Sequence, residues 1–247
     1  MFNRQRCTLT SMALTAFLLC FVPFQNSMAA MPFLDDFEDG NINGWTVVAI
    51  EDVPGNAEIS NTVAYESVYS MKMWDQAYPE KTVVQRDDFN AATGIYQSYF
   101  YVTGSYSDAY MYIQVQDLTN YYKIHFRPYG GDYPAAVVDK FVNGERTILS
   151  EVPPNFNMNQ WFKATVYRYA NGDIMVYVND ELLISVNDVT FQDPGGFCVG
   201  SWITAYADDV TYSYIKKVPS ISTIGVYILA LLLIAASLFV YYRRVEA

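Results

Sequence analysis

Between Pro32 and Ile215 the chain never sustains a helical repeat of apolar residues. It runs instead in short stretches that alternate apolar and polar side chains, separated by turn residues. A period of two puts one set of side chains on each face of a strand, so this pattern predicts an all-β sandwich or barrel. Asn143-Gly144 lies between the runs 137–142 and 145–149, and Asn171-Gly172 between 161–169 and 173–178. Each predicts a hairpin with a type I′ turn, whose two central residues take positive φ. Asn179-Asp180 turns the chain again into 182–186, while Pro153-Pro154 and Pro194-Gly195-Gly196 punctuate longer loops. No internal repeat or low-complexity linker interrupts the series.

One hairpin can be read in register. In 108–116, Tyr110, Tyr112, Gln114 and Gln116 alternate with Met111, Ile113 and Val115. In 121–127, Tyr121, Lys123, His125 and Arg127 alternate with Tyr122, Ile124 and Phe126. With the turn at 117–120, Val115 faces Tyr122, Ile113 faces Ile124 and Met111 faces Phe126. The other face then sets Tyr112 opposite His125, Tyr110 opposite Arg127 and Gln114 opposite Lys123. A slip of one residue would mix apolar and polar faces, which selects this register. The expected product is one apolar face and one face of tyrosines, amides and cations. A neighbouring strand at 97–103 is expected to add Tyr99 and Tyr101 to the second face.

The two ends differ from this pattern. Arg4 and Arg6 precede an apolar run at 12–24, and Ser27-Met28-Ala29 offers small residues for cleavage, the layout of a secretory signal peptide over 1–29. Cys20 is not a lipidation site on this reading, because Leu19 precedes it where a small residue is required. Near the other end, residues 225–242 carry no charge and would span roughly 27 Å as a helix, enough for a bilayer core. The cleaved signal sends the domain outward and leaves Arg243 and Arg244 inside. The segment Val218-Pro219-Ser220-Ile221-Ser222-Thr223-Ile224-Gly225, the short apolar helix and the terminal arginines resemble exosortase-type C-terminal sorting signals of Gram-negative bacteria. The octet is closest to the Ile-Pro-Thr-Leu-Ser-x-Trp-Gly variant and departs from it at Ile224. The resemblance implies an exosortase-type processing enzyme as partner, a membrane helix before processing, and a cell-envelope or extracellular destination. A permanent anchor is the alternative.

Between the ends, the domain at 31–215 is long enough for one sizeable core. Only Cys198 remains there, so no internal disulfide can form, and its apolar neighbours Phe197 and Val199 mark it as a small core residue. A formal net charge of −11 argues against nucleic acid as a partner. The 22 tyrosines suit strands and sugar contact equally.

Asp35-Asp36-Phe37-Glu38-Asp39-Gly40 with Gly44-Trp45, and 67–73 (Ser-Val-Tyr-Ser-Met-Lys-Met), resemble the opening strands of jelly-roll carbohydrate-binding modules. Trp161, the stretch 171–181 and Asp208-Asp209-Val210 resemble the concanavalin A-like (laminin G-like) lectin and glucanase superfamily, which the longer strand–turn series favours. Both are two-sheet antiparallel jelly rolls. The resemblance implies a structural calcium joining the first and last strands through Glu38 and Asp209, with solvated strand-end charges as the alternative.

The Glu-x-Asp-x-x-Glu spacing of the glucanase branch is absent, and a single His excludes a zinc site built on two histidines. A lyase could use Tyr112 or His125 to move a proton and Arg127 with Gln114 to neutralise a carboxylate, but the lyase signatures are absent. The sequence therefore predicts a non-catalytic exported protein that binds polysaccharide through Tyr110, Tyr112, Gln114, His125, Arg127, Tyr99 and Tyr101. The alternatives are a structural or adhesive envelope component, and a lyase or hydrolase.

Overall fold

The computed structural model describes residues 30–51, 55–75, 81–104, 106–129 and 135–216. The predicted signal peptide, the sorting motif and the apolar segment 225–242 lie outside these residues. Among the described residues no helix is long and apolar enough to cross a membrane.

The described residues form fifteen strands and no helix. One sheet has eight strands: β1 (Phe33–Asp35), β3 (Asn56–Ser60), β4 (Ser70–Trp74), β6 (Gly94–Val102), β11 (Trp161–Arg168), β12 (Asp173–Val178), β13 (Glu181–Asn187) and β15 (Thr204–Ser213). Their order is β13-β12-β11-β6-β15-β4-β3, with β1 paired to β15. The other has seven: β2 (Trp45–Val48), β5 (Lys81–Arg86), β7 (Asp108–Asp117), β8 (Asn120–Arg127), β9 (Ala135–Val142), β10 (Glu145–Val152) and β14 (Gly196–Trp202). They run β10-β9-β8-β7-β14-β5-β2. All pairings between strands are antiparallel, as in a two-sheet sandwich.

The inner faces interdigitate as the alternation requires. From β6, Tyr96, Phe100 and Val102 point inward; from β7 and β8, Met111, Ile113, Tyr122, Ile124 and Phe126 meet them. Burial of these aromatic and branched side chains between the sheets is the main driving force for the fold.

The predicted turns divide. Asn143 and Gly144 both take positive φ, as do Asn179 and Asp180, so each joins its strands by a primed two-residue turn. At Asn171-Gly172 only Gly172 is left-handed, and the loop closes through Gly172 N donating to Tyr169 O and Tyr169 N donating to Asp173 O. That turn is longer than the predicted I′ form.

The β7–β8 register also differs from the prediction. Asp117 pairs Asn120 as expected, but beyond a bulge the pairs are Ile113–Tyr122, Met111–Ile124 and Tyr110–His125, two residues displaced. Gln114 sits in the bulge at φ 50°. Gly195 packs there so closely that a Cβ would lie 2.6 Å from the Gln114 backbone. A displacement of two preserves the faces of 110–113 and 122–126, but inside the bulge Gln114 turns inward to Arg168 and Val115 joins the outer tyrosines, the reverse of the predicted alternation.

Candidate functional site

The outer face of the seven-stranded sheet, which carries the tyrosines and cations of the β7–β8 hairpin, is substantially buried. Tyr110, Tyr112 and Tyr121 lie there with Cys198, Val83, Ile50 and Phe141 as a second apolar cluster. Gly200 on β14 makes room for the rings, since a Cβ there would meet the Thr82 carbonyl at 2.7 Å and the Tyr112 ring at 3.3 Å. Burial raises the Cys198 thiol pKa, so the sulfur is an inert filler of this layer.

Ionisable groups are set into this aromatic floor. Lys123 from β8 reaches Glu51, just past β2, with Nζ 2.6 Å from Oε1 and 2.9 Å from Oε2; Lys81 from β5 binds the same carboxylate. Lys123 Nζ also stands 4.0 Å from the centre of the Tyr110 ring. The Tyr112 hydroxyl donates to Glu51 Oε1 at 3.3 Å. Burial pushes the Glu51 carboxyl up, but Lys123 and Lys81 outweigh it and leave its pKa lowered. Burial pulls Lys123 down to about 8 against the attraction of Glu51, so both remain charged at neutral pH.

A second group centres on Asp108 at the start of β7. Its Oδ2 accepts from the Tyr110 hydroxyl at 3.2 Å and faces Arg127 Nε at 3.5 Å. Burial raises its carboxyl to about 6 despite Arg127 and Tyr110. Beside it, Arg127 Nη2 lies 3.3 Å from His125 Nδ1, which assigns Nδ1 as acceptor and the proton to Nε2. His125 Nε2 lies 3.0 Å from Asp139 Oδ2, and Arg146 Nη2 lies 2.9 Å from the same oxygen. Neither contact is aligned as a hydrogen bond, which leaves His125 Nε2 and both Asp139 oxygens buried without a directional partner. Burial, then the nearby Lys123, Arg127 and Arg146, hold His125 well below its usual pKa, so the imidazole is neutral. Burial raises the Asp139 carboxyl.

The seven predicted sugar contacts thus separate. Tyr110, Tyr112, His125 and Arg127 share this face. Gln114 does not: the bulge turns it toward the sandwich end, where its Oε1 accepts from Arg168 Nε at 2.6 Å. Arg168, buried at the end of β11, also donates to the carbonyls of Gly172, Asp188 and Phe191 and so ties the β11–β12 and β13–β14 loops to the β7 bulge. Tyr99 and Tyr101 belong to β6 in the other sheet and point away from the sandwich on its opposite side. There Tyr99 stacks on Tyr65 at 3.7 Å, and Tyr101 packs against Trp161 and Tyr206. The prediction failed because β6 and β7, consecutive in the chain, belong to different sheets and do not pair as a hairpin.

At the β1–β15 edge, Glu38 Oε1 accepts from the backbone N–H groups of Val68 and Tyr69. Burial, then Asp36, Glu66 and Glu38, raise the Asp209 carboxyl. Among the described residues no group of three or more His, Cys, Asp or Glu side chains is arranged to hold a metal ion. A calcium at this edge would be held by Glu38 and Asp209 together with carbonyl oxygens. Asp208 is a loop anchor, accepting from Tyr65 N and Ser67 Oγ.

Neither a protein-family profile nor a curated protein sequence matches this chain. Solved structures do. A carbohydrate-binding module from Bacillus subtilis is similar over 70% of this chain and 98% of its own, at 20% identity and TM-score 0.53. A Bacillus licheniformis β-glucanase covers 74% of this chain and 98% of its own, at 16% identity and TM-score 0.54. A prokaryotic β-1,3-1,4-glucanase (lichenase) derived from a mouse hindgut metagenome covers 74% and 99%, at 15% identity and TM-score 0.53. The chain shares the two-sheet antiparallel sandwich fold of these structures.

These neighbours correct one prediction. The concanavalin A-like structures that the chain resembles are in large part glycoside hydrolases, so the non-catalytic assignment made from missing motifs does not stand. A missing Glu-x-Asp-x-x-Glu strand excludes one arrangement of carboxylates, not every arrangement the fold can hold. Glu51, Lys81, Asp139 and Arg146 escaped the sequence reading of the site. Asp139 did leave a signal, a carboxylate inside the apolar run Ala135-Ala136-Val137-Val138, where a charge needs a buried partner.

Proposed function

We propose that this protein is an exported jelly roll that binds polysaccharide on the outer face of its seven-stranded sheet. The observation that carries the reading is the ionic cluster of Glu51, Lys123, Asp108, Arg127, His125 and Asp139 set into a tyrosine floor. An apolar layer of the same volume would stabilise the sheet as well or better, so such a cluster is better explained by use than by stability. Aromatic rings and forked cations are also the groups that meet the C–H faces and hydroxyls of sugars. Export rests on the sequence of residues 1–29. The glycan-directed neighbours support the reading through their shared fold.

The test is retention of the full-length chain on a glycan array. Arg127→Ala is expected to lose retention while Tyr101→Ala, on the opposite face, keeps it. No retained glycan rejects the reading.

Cleavage of the bound chain is the second reading, favoured by one observation. On a single face the surroundings drive two carboxyls apart, Asp108 up to about 6 and Glu51 down, which suits an acid and an ionised partner. Release of new reducing or unsaturated ends, abolished by Asp108→Asn, would support cleavage; intact polymer after long incubation would withdraw it.

A further inference from the structure

Charge is distributed unevenly over this domain, and the unevenness names a ligand class. Residues 30–216 contain 10 lysines and arginines against 25 aspartates and glutamates. Four of those ten cations, Lys81, Lys123, Arg127 and Arg146, gather on the outer face of the seven-stranded sheet. The described acids on that side are Glu51, Asp108, Asp139 and, on the edge strand opposite Val137, Glu151. One face of an otherwise strongly acidic domain is therefore close to charge balance.

Depth matters more than number. The carboxylates that pair with these cations are sunk, with side-chain exposures of 10% for Glu51, 7% for Asp108 and 0% for Asp139. Lys123 is sunk with them at 1%, but the other three cations are more open: 22% for Lys81, 24% for Arg127 and 40% for Arg146. Apart from the exposed Glu151 on the edge strand, an approaching ligand meets ammonium and guanidinium groups first, and the buried acids hold those groups in place from below. Fixed guanidiniums of this kind bind carboxylates through paired N–H donors. Arg127 and Arg146 flank the same histidine–aspartate pair from β8 and β10, so their spacing is set by the sheet and not by flexible loops.

We infer that the polysaccharide taken by this face is anionic, its acidic groups bound by Arg127, Arg146 and Lys81. The inference rests on the binding reading above and adds the substrate class. The rest of the domain repels such a polymer, so attraction is confined to this face and weakens as salt screens it.

The experiment measures binding of the full-length chain to polygalacturonate, to the same polymer methyl-esterified, to dextran sulfate and to uncharged dextran. Polygalacturonate is expected to bind on the order of tenfold or more tightly than its methyl ester, since esterification removes the charge and keeps the sugar backbone. Arg146→Gln, on an edge strand where folding tolerates it, is expected to weaken that binding severalfold; Lys163→Gln on the opposite sheet leaves it unchanged. Dextran sulfate separates carboxylate recognition from attraction to any polyanion, and binding of either polyanion above the neutral polymers supports the inference. Equal binding of the acid and ester forms, with dextran sulfate bound no tighter than dextran, overturns the anionic class while leaving polysaccharide binding intact. Failure to bind any of the four, together with an empty glycan array, overturns the binding reading itself.

Discussion

On the outer face of the eight-stranded sheet, most tyrosines stand half-exposed and touch one another: Tyr65 on Tyr99, Tyr101 between Trp161 and the buried Tyr206, Tyr167 against Tyr169 and Tyr177. On the outer face of the seven-stranded sheet, tyrosines are buried and their hydroxyls go to carboxylates, Tyr110 to Asp108 and Tyr112 to Glu51. The same residue type serves as a weather-side covering in one place and as the floor of an ionic layer in the other. Tyrosine content alone therefore does not mark a binding face; what matters is whether charge has been buried beside it.

The comparison can be broken most sharply through Lys123. Lys123→Met removes one partner of a buried ion pair and is expected to cost about 3 kcal/mol in urea unfolding. Tyr101→Ala on the other face should cost only about 1 kcal/mol, being half-exposed. Equal losses would mean that the two faces do not differ energetically.

Titration sharpens it next. The folded Asp108 carboxyl sits at about 6 against an ordinary 3.8, so ionising it disfavours the folded state. Wild type carries no such cost below pH 3.8 and the full cost above pH 6. Asp108→Asn should accordingly gain about 2 kcal/mol on wild type between pH 4 and pH 7.5, measured as the difference between their unfolding free energies. Asp208, raised in the same direction in the other sheet, cancels in that difference. A gain that shrinks as pH rises would contradict the assigned sign.

Smaller effects belong to the exposed side. Tyr65→Ala removes a ring stacked on Tyr99 and should lower stability by about 0.5–1 kcal/mol without altering glycan retention. Calcium, if carbonyls complete a shell at Asp209, should raise the melting temperature by roughly 1–2 °C by relieving repulsion from Asp36, Glu66 and Glu38. No shift on adding calcium or a chelator removes calcium from the account.

Much of the fold is written locally. The alternation of Met111, Ile113, Ile124 and Phe126 with Tyr110, Tyr112, Lys123 and His125 assigns each side chain to its face, and Asn143-Gly144 and Asn179-Asp180 announce their turns. What could not be read depends on distant partners. The Gln114 bulge needs Gly195 from across the chain, so the register beyond it slipped by two. Alternation persists in β7 and β8 whether the polar face is wet or covered, which hid the burial of Tyr110, Tyr112 and His125. The site was half legible for the same reason: Tyr110, Tyr112, His125 and Arg127 share one hairpin, whereas Glu51, Asp139 and Arg146 arrive from three other segments.

The most direct test of the account sets the two faces against each other in one binding measurement. Isotherms for a retained polysaccharide are recorded with wild type, Arg127→Ala and Tyr101→Ala, each checked for an intact fold by its unfolding curve. The account predicts that Arg127→Ala loses most of the affinity and Tyr101→Ala keeps it. Loss at Tyr101 with full binding at Arg127 would contradict it and move the glycan to the outer face of the eight-stranded sheet.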